Sequence, residues 1–399
     1  MMLTAGVQRA AVALVQVFGL AVWFSISAVV PSVSREWGIG ASAAVWLTGA
    51  VQLGFVAGAV GSTAFNLADR LRPHRLLAAC AAAAAGCTVL VALFADGMGG
   101  AVALRFLTGV FLAGVYPVGM KLMASWAPPA ARGRALGILV GALTLGSALP
   151  HLIGGLGELP WRGVLVAAAV VGVLGAAVAA TVVRPGPYLA AAAPVTNARY
   201  ALTMFTQRGP RLANLAYFGH MWELYALWTW IPTFLLAAAS GRSLPASTGV
   251  VVFVAIGVAG AAGCLAGGWA ADRYGRSVAA VTALVVSGAC CLLSPLAFRA
   301  GPVVLVAFCL VWGASVIADS GVFSTALSEA ADQRFIGTAL TAQTAIGFAL
   351  TVISIQLVPL LAAVTGWRYA FLLLAPGPVV GALAMRALGA RSAVSKEAR

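Results

Sequence analysis

Residues 267–277 read GGWAADRYGRS and place an aspartate, two arginines and a tyrosine directly after a long apolar run. A weaker copy, FNLADRLRPHR, occupies residues 65–75. The two Ala-Asp-Arg triplets begin at Ala68 and Ala271, 203 residues apart. A charged cluster that recurs at this distance in an apolar chain indicates two related units, each carrying one copy.

The composition indicates that lipid rather than water surrounds most of the chain. Of the 399 residues, 62% are hydrophobic and 9% are charged, whereas a soluble domain has about 25% charged residues. The net charge is +14, but the basic residues are scattered in short loops without the dense patch that binds nucleic acid. We therefore expect a protein of the lipid bilayer with no nucleic-acid partner.

Apolar runs long enough to cross a bilayer as helices, about 20 residues each, occur twelve times. They lack the alternation of apolar and polar residues that a spanning barrel strand requires. The expected fold is therefore an all-α membrane protein with twelve transmembrane helices. The predicted spans 1 to 12 are 8–30, 43–66, 74–95, 99–123, 134–156, 162–183, 211–238, 247–270, 277–299, 302–327, 336–361 and 367–389.

The distribution of basic residues predicts which side of the membrane each loop faces. With a cytoplasmic N-terminus, the inner segments carry 17 Lys and Arg residues and the outer loops carry five. Positive charge accumulates on cytoplasmic loops, so we expect both termini in the cytoplasm. The Arg-, Ala- and Gly-rich usage favours a bacterial protein, and hence the inner (cytoplasmic) membrane.

Four landmarks recur in the same order along the two parts of the chain, at offsets that drift slowly from 201 to 206 residues. They are Pro31 and Pro232, Asp69 and Asp272, Gly133 and Gly337, and Trp161 and Trp367. Such ordered recurrence indicates an internal duplication. We expect two pseudo-symmetric six-helix bundles, 1–183 and 211–399 with its short cytoplasmic tail, joined by a cytoplasmic linker at 184–210. Six helices per bundle give both bundles the same orientation.

The stretch GGWAADRYGRS resembles the signature loop of the major facilitator superfamily, Gly-x-x-x-Asp-Arg-x-Gly-Arg. All five signature positions are filled, by Gly268, Asp272, Arg273, Gly275 and Arg276. The N-terminal copy keeps Asp69 and Arg70 but has Phe65 and Arg72 where the signature has glycine. RFLTG at 105–109 is similar to the family's fourth-helix motif, and the GWR that opens span 12 is common in the family.

This resemblance implies a secondary transporter that works by alternating access, usually as a monomer. It implies that spans 1, 4, 7 and 10 line a central cavity. It also implies a cytoplasmic latch, in which each loop aspartate faces the positive N-terminal end of a helix from the other bundle. The latch residues are Asp69, Arg70, Asp272, Arg273, Gly275, Arg276 and Arg134.

Charged residues inside spans are costly and therefore indicate function. The candidates are Arg105 in span 4, Glu223 in span 7 and Asp319 in span 10, whereas Lys121 lies near the inner end of span 4 and is expected to anchor the helix there. A helical wheel places Arg105 on one face with Tyr116, and we expect its guanidinium to contact the substrate. Each charge also has a structural interpretation: Arg105 reaching the outer headgroups, and the carboxylates joining helices in ion pairs. The predicted substrate path comprises Gln16, Trp23, Arg105, Tyr116, Glu223, Trp230, Trp312 and Asp319.

The buried carboxyl groups also suggest proton coupling. A carboxyl group in a dry cavity favours its neutral form and can exchange a proton when the cavity changes sides. Glu223 is the first candidate and Asp319 the second. His220, one turn before Glu223, is placed to pass the proton or to tune the carboxyl group.

The favoured function is thus a proton-coupled permease for a small organic anion or zwitterion. The alternative is a proton-driven exporter of drugs and other amphipathic compounds, which the same acidic and aromatic residues fit. A non-transporting sensor or scaffold is a third possibility, but no soluble domain supports it. The sequence shows no phosphate-binding loop, no enzyme constellation and no metal-ligand spacing among its six cysteines, so we expect neither an enzyme nor a cofactor or metal.

Overall fold

The computed structural model describes residues 4–65, 67–128, 131–156, 159–189, 202, 205–239, 242–332 and 336–397. Regular structure within these residues is helical, and α1 to α12 are numbered like the predicted spans. The helices are α1 Ala5–Leu20, α2 Trp46–Ala64, α3 Pro73–Phe94, α4 Met98–Leu112 with Tyr116–Ser125, α5 Arg132–Leu156, α6 Trp161–Thr181, α7 Arg208–Ala238, α8 Thr248–Val252 with Phe253–Ala259 and Gly260–Tyr274, α9 Arg276–Ala297, α10 Pro302–Ile317 with Ser320–Ala330, α11 Ile336–Thr365, and α12 Trp367–Ala370 with Phe371–Leu374 and Pro376–Glu397. Short helices at Ser27–Val29, Val30–Trp37, Ala41–Ala44 and Leu67–Arg70 lie between them.

Ten of the described helices are long and apolar enough to cross a bilayer. The other two, α1 and α7, are the first helices of the two halves. α1 has only 16 residues of regular helix. α7 has 31 residues but includes tryptophan, tyrosine, histidine and glutamate side chains, which lower its mean hydropathy. With these two helices, the structure has the predicted twelve-helix architecture. We call the end that carries both termini the inner end, following the predicted orientation, and the opposite end the outer end.

The same packing pattern occurs in each half. In the first half the contacting pairs are α1–α5, α1–α6, α2–α4, α3–α4 and α3–α6. In the second half they are α7–α11, α7–α12, α8–α10, α9–α10 and α9–α12, which are the same pairs with six added to each number. The halves meet through α2–α11 and α5–α8, which are also equivalent. This pattern confirms two pseudo-symmetric bundles. The predicted boundaries at 183 and 211 stay predictions, since most of the linker lies outside the described residues.

The Trp-Arg landmark has the same role in both halves. Nη1 of Arg162 donates to the carbonyl oxygen of Ala92 at 3.0 Å, near the end of α3. Nε of Arg368 donates to the carbonyl oxygen of Pro295 at 3.2 Å, near the end of α9. The last carbonyls of a helix have no partner within that helix. Each guanidinium therefore caps the helix that packs beside it.

Glycine allows close helix contacts in both halves, and one equivalent pair of glycines shows this. A Cβ atom on Gly109 would lie 2.0 Å from the carbonyl oxygen of Val51, and one on Gly313 would lie 2.0 Å from that of Ala255. Gly109 and Gly313 are 204 residues apart. Small residues of this kind bring the backbones of neighbouring membrane helices together, here α4 onto α2 and α10 onto α8.

Predicted spans 1, 4 and 10 are interrupted by turns. α1 ends at Leu20, and residues 21–26 form turns before the next helical segment. α4 is interrupted at 113–115 and α10 at 318–319. The predicted spans extend past all three interruptions, and Asp319 is the one charged residue within the interruptions, which is why the sequence predicted unbroken helices. Irregular backbone at membrane depth needs hydrogen-bond partners from the protein or from a water-filled cavity. We therefore expect side chains near each interruption to supply these hydrogen bonds.

We expect Gly313→Ala to lower the melting temperature of the detergent-purified protein, because the added methyl group would collide with the carbonyl of Ala255. Differential scanning fluorimetry measures this change. Gly86→Ala is the matched control: a Cβ there meets nothing within 4 Å, and alanine favours a helix over glycine by about 1 kcal/mol. Equal melting temperatures for Gly313→Ala and the wild type would contradict the close α8–α10 contact.

Candidate functional site

The interruption in α1 leaves backbone carbonyl groups without partners in a helix, and Arg105 of α4 donates hydrogen bonds to them. Arg105 is fully buried. Its Nε donates to the carbonyl of Leu47 at 3.3 Å, and its Nη1 donates to the carbonyl of Val22 at 3.0 Å and to Oγ of Ser25 at 3.4 Å. Its Nη2 donates to the carbonyl of Trp23. The guanidinium thus fixes the turns at 21–26 and ties α1 to α2 and α4.

Gln16 of α1 performs the reciprocal task for α4. Its Nε2 donates at 3.1 Å to the carbonyl of Val115, in the interruption of α4. Gly119, one turn later, makes room for this amide, since a Cβ at that position would lie 2.1 Å from Nε2. Each of the two helices therefore supplies a donor for the broken backbone of the other, as an apolar environment requires.

The second half has an equivalent contact at its own interrupted helix, made by two side chains that can carry charge. Residues 204 positions after Gln16 and Val115 are His220 and Asp319. Nδ1 of His220 lies 2.9 Å from Oδ1 of Asp319, and its Nε2 lies 2.9 Å from Oγ of Ser320. His220 and Asp319 are each 2% exposed. Where the first half places an amide against a carbonyl, the second half places an imidazole against a carboxylate, a pair that can bind and release a proton.

The His220–Asp319 pair lies near the interface between the halves. The ring of Tyr217 is 6.4 Å from that of His220. Tyr116, half-buried directly after the interruption in α4, lies near Tyr217. Sγ of Cys264 in α8 is 3.7 Å from the carbonyl oxygen of Ile317, directly before the interruption of α10, and 3.9 Å from Oγ1 of Thr144 in α5 of the other half. A movement of one half relative to the other would therefore change the surroundings of the pair.

Glu223 is held separately, inside the second half. Its Oε1 accepts from Nε1 of Trp312 at 2.6 Å and from Sγ of Cys291 at 3.3 Å, and its Oε2 accepts from Oγ of Ser287 at 2.9 Å. The side chain is 1% exposed. Hydrogen bonds to a carboxylate are strong, so these contacts hold α7 against α9 and α10.

Six aromatic rings from both halves meet and form what we call the aromatic seam. Its members are Trp23, Phe24, Phe55, Tyr225, Trp228 and Phe348. Phe24 and Trp228 meet edge to face at 5.5 Å, and because they are 204 residues apart, the pseudo-twofold axis passes near them. The centroids of Phe55 and Phe348 are 4.4 Å apart. The seam closes the interface between the halves in this structure.

The structure distributes the predicted path residues over three places. Trp23, Tyr116 and Asp319 lie at or near the interface between the halves, and Gln16 braces α4. Arg105, Glu223 and Trp312 bond within their own halves. The interruption at 113–115 separates Arg105 from Tyr116, so the helical wheel that placed them on one face does not apply to this segment.

Trp230 also has a structural position. Its Nε1 donates to the carbonyl of Ile355 at 2.8 Å, and its ring lies 5.4 Å from that of Trp367. These contacts join α7 to α11 and α12. The sequence analysis missed Ser287, Cys291 and Ser320, for which only the positions of neighbouring helices provide a signal.

The predicted latch is only partly described. Asp272 and Arg273 are exposed at the end of α8, which Gly275 terminates with a φ of 90° that favours glycine. Arg276 pairs with Glu329 of its own half. Among the described ion pairs, none joins the two halves.

The first-half members of the latch lie at the inner end. Arg70 is exposed, while the side chain of Asp69 lies outside the described residues. Arg134 and Arg9 line a cavity of about 390 Å³ between the inner ends of α1, α4 and α5. The latch therefore stays a prediction.

Comparison with known proteins gives a family and a fold. A sequence profile of the Major Facilitator Superfamily matches residues 12–355. No curated protein sequence matches the chain.

Three solved structures of transporters share its fold. A bacterial homolog of the human lysosomal transporter Spinster, inward-facing and unoccupied, has a TM-score of 0.68 at 15% identity, covering 97% of this chain and 95% of its own. The nucleoside transporter NupG has a TM-score of 0.70 at 15% identity, covering 96% and 99%. The xylose transporter XylE from E. coli, partially occluded and inward open, has a TM-score of 0.71 at 14% identity, covering 95% and 96%. At these identities the likeness shows the fold alone.

We expect Arg105→Lys to lower the melting temperature of the purified protein. A lysine keeps the charge but cannot reach the same spread of acceptors as the guanidinium fork, so at least one carbonyl of the interrupted α1 loses its donor, at a cost of about 1–3 kcal/mol. Differential scanning fluorimetry measures the loss, with Arg35→Lys as the control, because Arg35 is exposed and, among the described residues, bonds only within its own short helix. If Arg105→Lys melts like the wild type and only solute affinity falls, Arg105 is a substrate contact and not a brace.

Proposed function

Because the chain belongs to the major facilitator superfamily, we propose that it is a secondary transporter that moves a small solute by alternating access and couples this movement to protons. The observation that carries the coupling proposal is the buried His220–Asp319 contact of 2.9 Å. The pair sits at the interruption of α10 and near the interface between the halves. We further propose that the two bundles, 1–183 and 211–399, are the units that move.

The symmetry of the fold supports this choice of coupling site. The equivalent contact in the first half, Gln16 to Val115, has no titratable group. Its geometry shows that bracing the helix needs no proton-binding residue. An imidazole and a carboxylate at the equivalent place therefore add a property that the structure does not require for stability.

Charge balance gives the pair a physical means of coupling. When His220 carries a proton, the imidazolium and the Asp319 carboxylate neutralise each other, and the pair can be enclosed in an apolar interior. Without that proton an uncompensated carboxylate remains, which is costly to enclose. The unprotonated site therefore favours access to water, and proton binding favours closure. Ser320 holds the other ring nitrogen and fixes the orientation of the imidazole.

Glu223 has a different role in this proposal. Its three donors, from Trp312, Cys291 and Ser287, satisfy the carboxylate in its present position. We assign it to holding α7, α9 and α10 together, so that the second half moves as one body. Asp319 thus becomes the first candidate for proton transfer.

The structure gives less support than the sequence did for a particular charge on the substrate. The anionic or zwitterionic substrate was inferred from Arg105, whose donors are used by the backbone of α1 and α2. The solved relatives are named for a nucleoside and for xylose, so the fold accommodates different solutes. Export of amphipathic compounds stays the second candidate, because the aromatic seam offers apolar surface to such molecules.

We place the protein in the cytoplasmic membrane of a bacterium, as a monomer with both termini in the cytoplasm. The bias of basic residues towards the inner loops supports this orientation. The partners proposed are the transported solute, protons and the surrounding lipid.

We expect Asp319→Asn to abolish proton-coupled transport and to retain counterflow of the same solute, since asparagine keeps the shape of the site but cannot form the ion pair. Solutes that raise the melting temperature are found first; a ligand at 100 times its Kd stabilises by about 2.7 kcal/mol. Each is then added to proteoliposomes that contain a pH-sensitive dye.

Glu223→Gln is the matched control, a second carboxyl-to-amide change in the same half. It should lower the melting temperature, because one of three donors then faces an amide NH₂, and should leave coupling intact. Coupled transport that survives in Asp319→Asn but is lost in Glu223→Gln would assign the proton to Glu223.

A further inference from the structure

Resting on the proposed transport function, we propose that the aromatic seam is the substrate site and that it recognises an uncharged solute with hydroxyl or amide groups on an otherwise apolar or ring-shaped body. The seam is closed in this structure, so the solute would enter when the two halves part along it.

The first observation is a set of buried polar atoms that lack hydrogen-bond partners among the described residues. They include Nε1 of Trp23, Nε1 of Trp228, both amide atoms of Gln52 and Oε1 of Gln16. These four side chains are at most 1% exposed. Buried polar groups in folded proteins almost always have partners, so a cluster of exceptions needs an explanation.

The second observation is that these atoms belong to the seam and its border. Trp23 and Trp228 are members of the seam, and both contact the rings of Phe24 and Tyr225. They come from opposite halves, so a ligand that bonds to both indole groups spans the interface. Each indole N–H can only donate, and therefore calls for an acceptor oxygen or nitrogen on the solute.

Gln52 lies on the same side of α2. One turn earlier, the hydroxyl of Thr48 is 2.9 Å from that of Ser27, in the segment that follows α1. One turn later, the ring of Phe55 is 5.0 Å from that of Trp23. Gln52 therefore belongs to the face of α2 that carries Thr48 and Phe55, towards the segment that follows α1. Its amide offers both a donor and an acceptor, which matches a hydroxyl or amide group of a solute.

The neutral character of the atoms without partners at the seam defines the class of solute. Of the buried charged groups, Arg105 donates to the turns after α1 and to α2, and Glu223 accepts from three donors. Oδ1 of Asp319 lies 2.9 Å from Nδ1 of His220 but accepts no hydrogen bond from the described residues in this geometry, and it lies outside the seam.

Six aromatic rings supply flat apolar surface, on which a sugar ring or a nucleobase can stack. The Arg105 guanidinium beside Trp23 already directs its donors at Leu47, Val22, Ser25 and Trp23. The side-chain atoms of the seam and its border that lack partners among the described residues are neutral, and they match hydroxyl or amide groups of a solute.

The experiment compares two buried glutamines. Gln52→Met removes the amide without partners and keeps the shape of the side chain. Gln8→Met is the matched control, because the Gln8 amide donates to the carbonyl of Val182 at 3.1 Å and accepts from the backbone N–H of Arg184 at 3.0 Å. The melting temperatures of both variants and the wild type are measured alone and with D-xylose, inosine, succinate, L-alanine or tetraphenylphosphonium.

Without solute, Gln52→Met should melt at or above the wild-type temperature, and Gln8→Met below it. With solute, D-xylose or inosine should raise the melting temperature of the wild type and of Gln8→Met but not of Gln52→Met. Trp228→Phe should lose the same response, whereas Trp230→Phe, whose indole has a backbone partner, should keep it at a lower starting temperature.

The inference is overturned if Gln52→Met melts below the wild type as Gln8→Met does, or if neither D-xylose nor inosine raises the wild-type melting temperature. It is also overturned if succinate, L-alanine or tetraphenylphosphonium is the effective solute and Gln52→Met still responds. In this last case, solute-driven, Asp319-dependent proton movement in Gln52→Met proteoliposomes would leave the proposed transport function standing while the substrate class fails.

Discussion

The rest of the site depends on the hydrogen bonds from the Arg105 guanidinium to the turns that interrupt the first helix. In a bilayer, a carbonyl that leaves its helix has no water to bond with, so α1 can be interrupted at 21–26 only if donors are built in. Arg105 supplies them to Val22 and Trp23. The turns that it stabilises carry Trp23 and Phe24 into the aromatic seam. A charge that suggested ligand binding is thus used to shape the backbone that forms the interface between the halves.

Comparison of equivalent positions in the two halves shows which contacts occur in one half only. Both halves repeat the same helix contacts, the same glycine approach and the same arginine cap. They differ where Gln16 and Val115 in the first half correspond to His220 and Asp319 in the second. One half keeps a neutral brace, and the other has a pair that can hold a proton. The first half adds the guanidinium brace, and the second adds the Glu223 cluster. From this asymmetry we infer that the second half binds the proton and that both halves contact the solute along the seam.

Much of the fold was predictable, because the relevant signals are local. Apolar runs gave the twelve spans, and ordered landmarks such as Trp161 and Trp367 gave the duplication. The interruptions were not predictable from hydropathy, since the apolar run crosses 21–26 without proline or glycine and the donors come from α4. The roles of Arg105 and Glu223 depend on which helices surround them, so the sequence identified the residues but not their partners. His220 and Asp319 were both named from sequence, but their pairing required the contact of α7 with α10.

If the two halves are rigid and part and close along the seam, double electron–electron resonance can follow the movement directly. One spin-label pair at Leu71 and Tyr274 and another at Leu159 and Val364 are introduced in a cysteine-free background. All four side chains are exposed, the first pair at the inner end and the second at the outer end. We expect two distances for each pair, with the inner distance lengthening as the outer one shortens, and a shift of both populations in Asp319→Asn. A single distance for each pair, unchanged by pH and by Asp319→Asn, would contradict this movement.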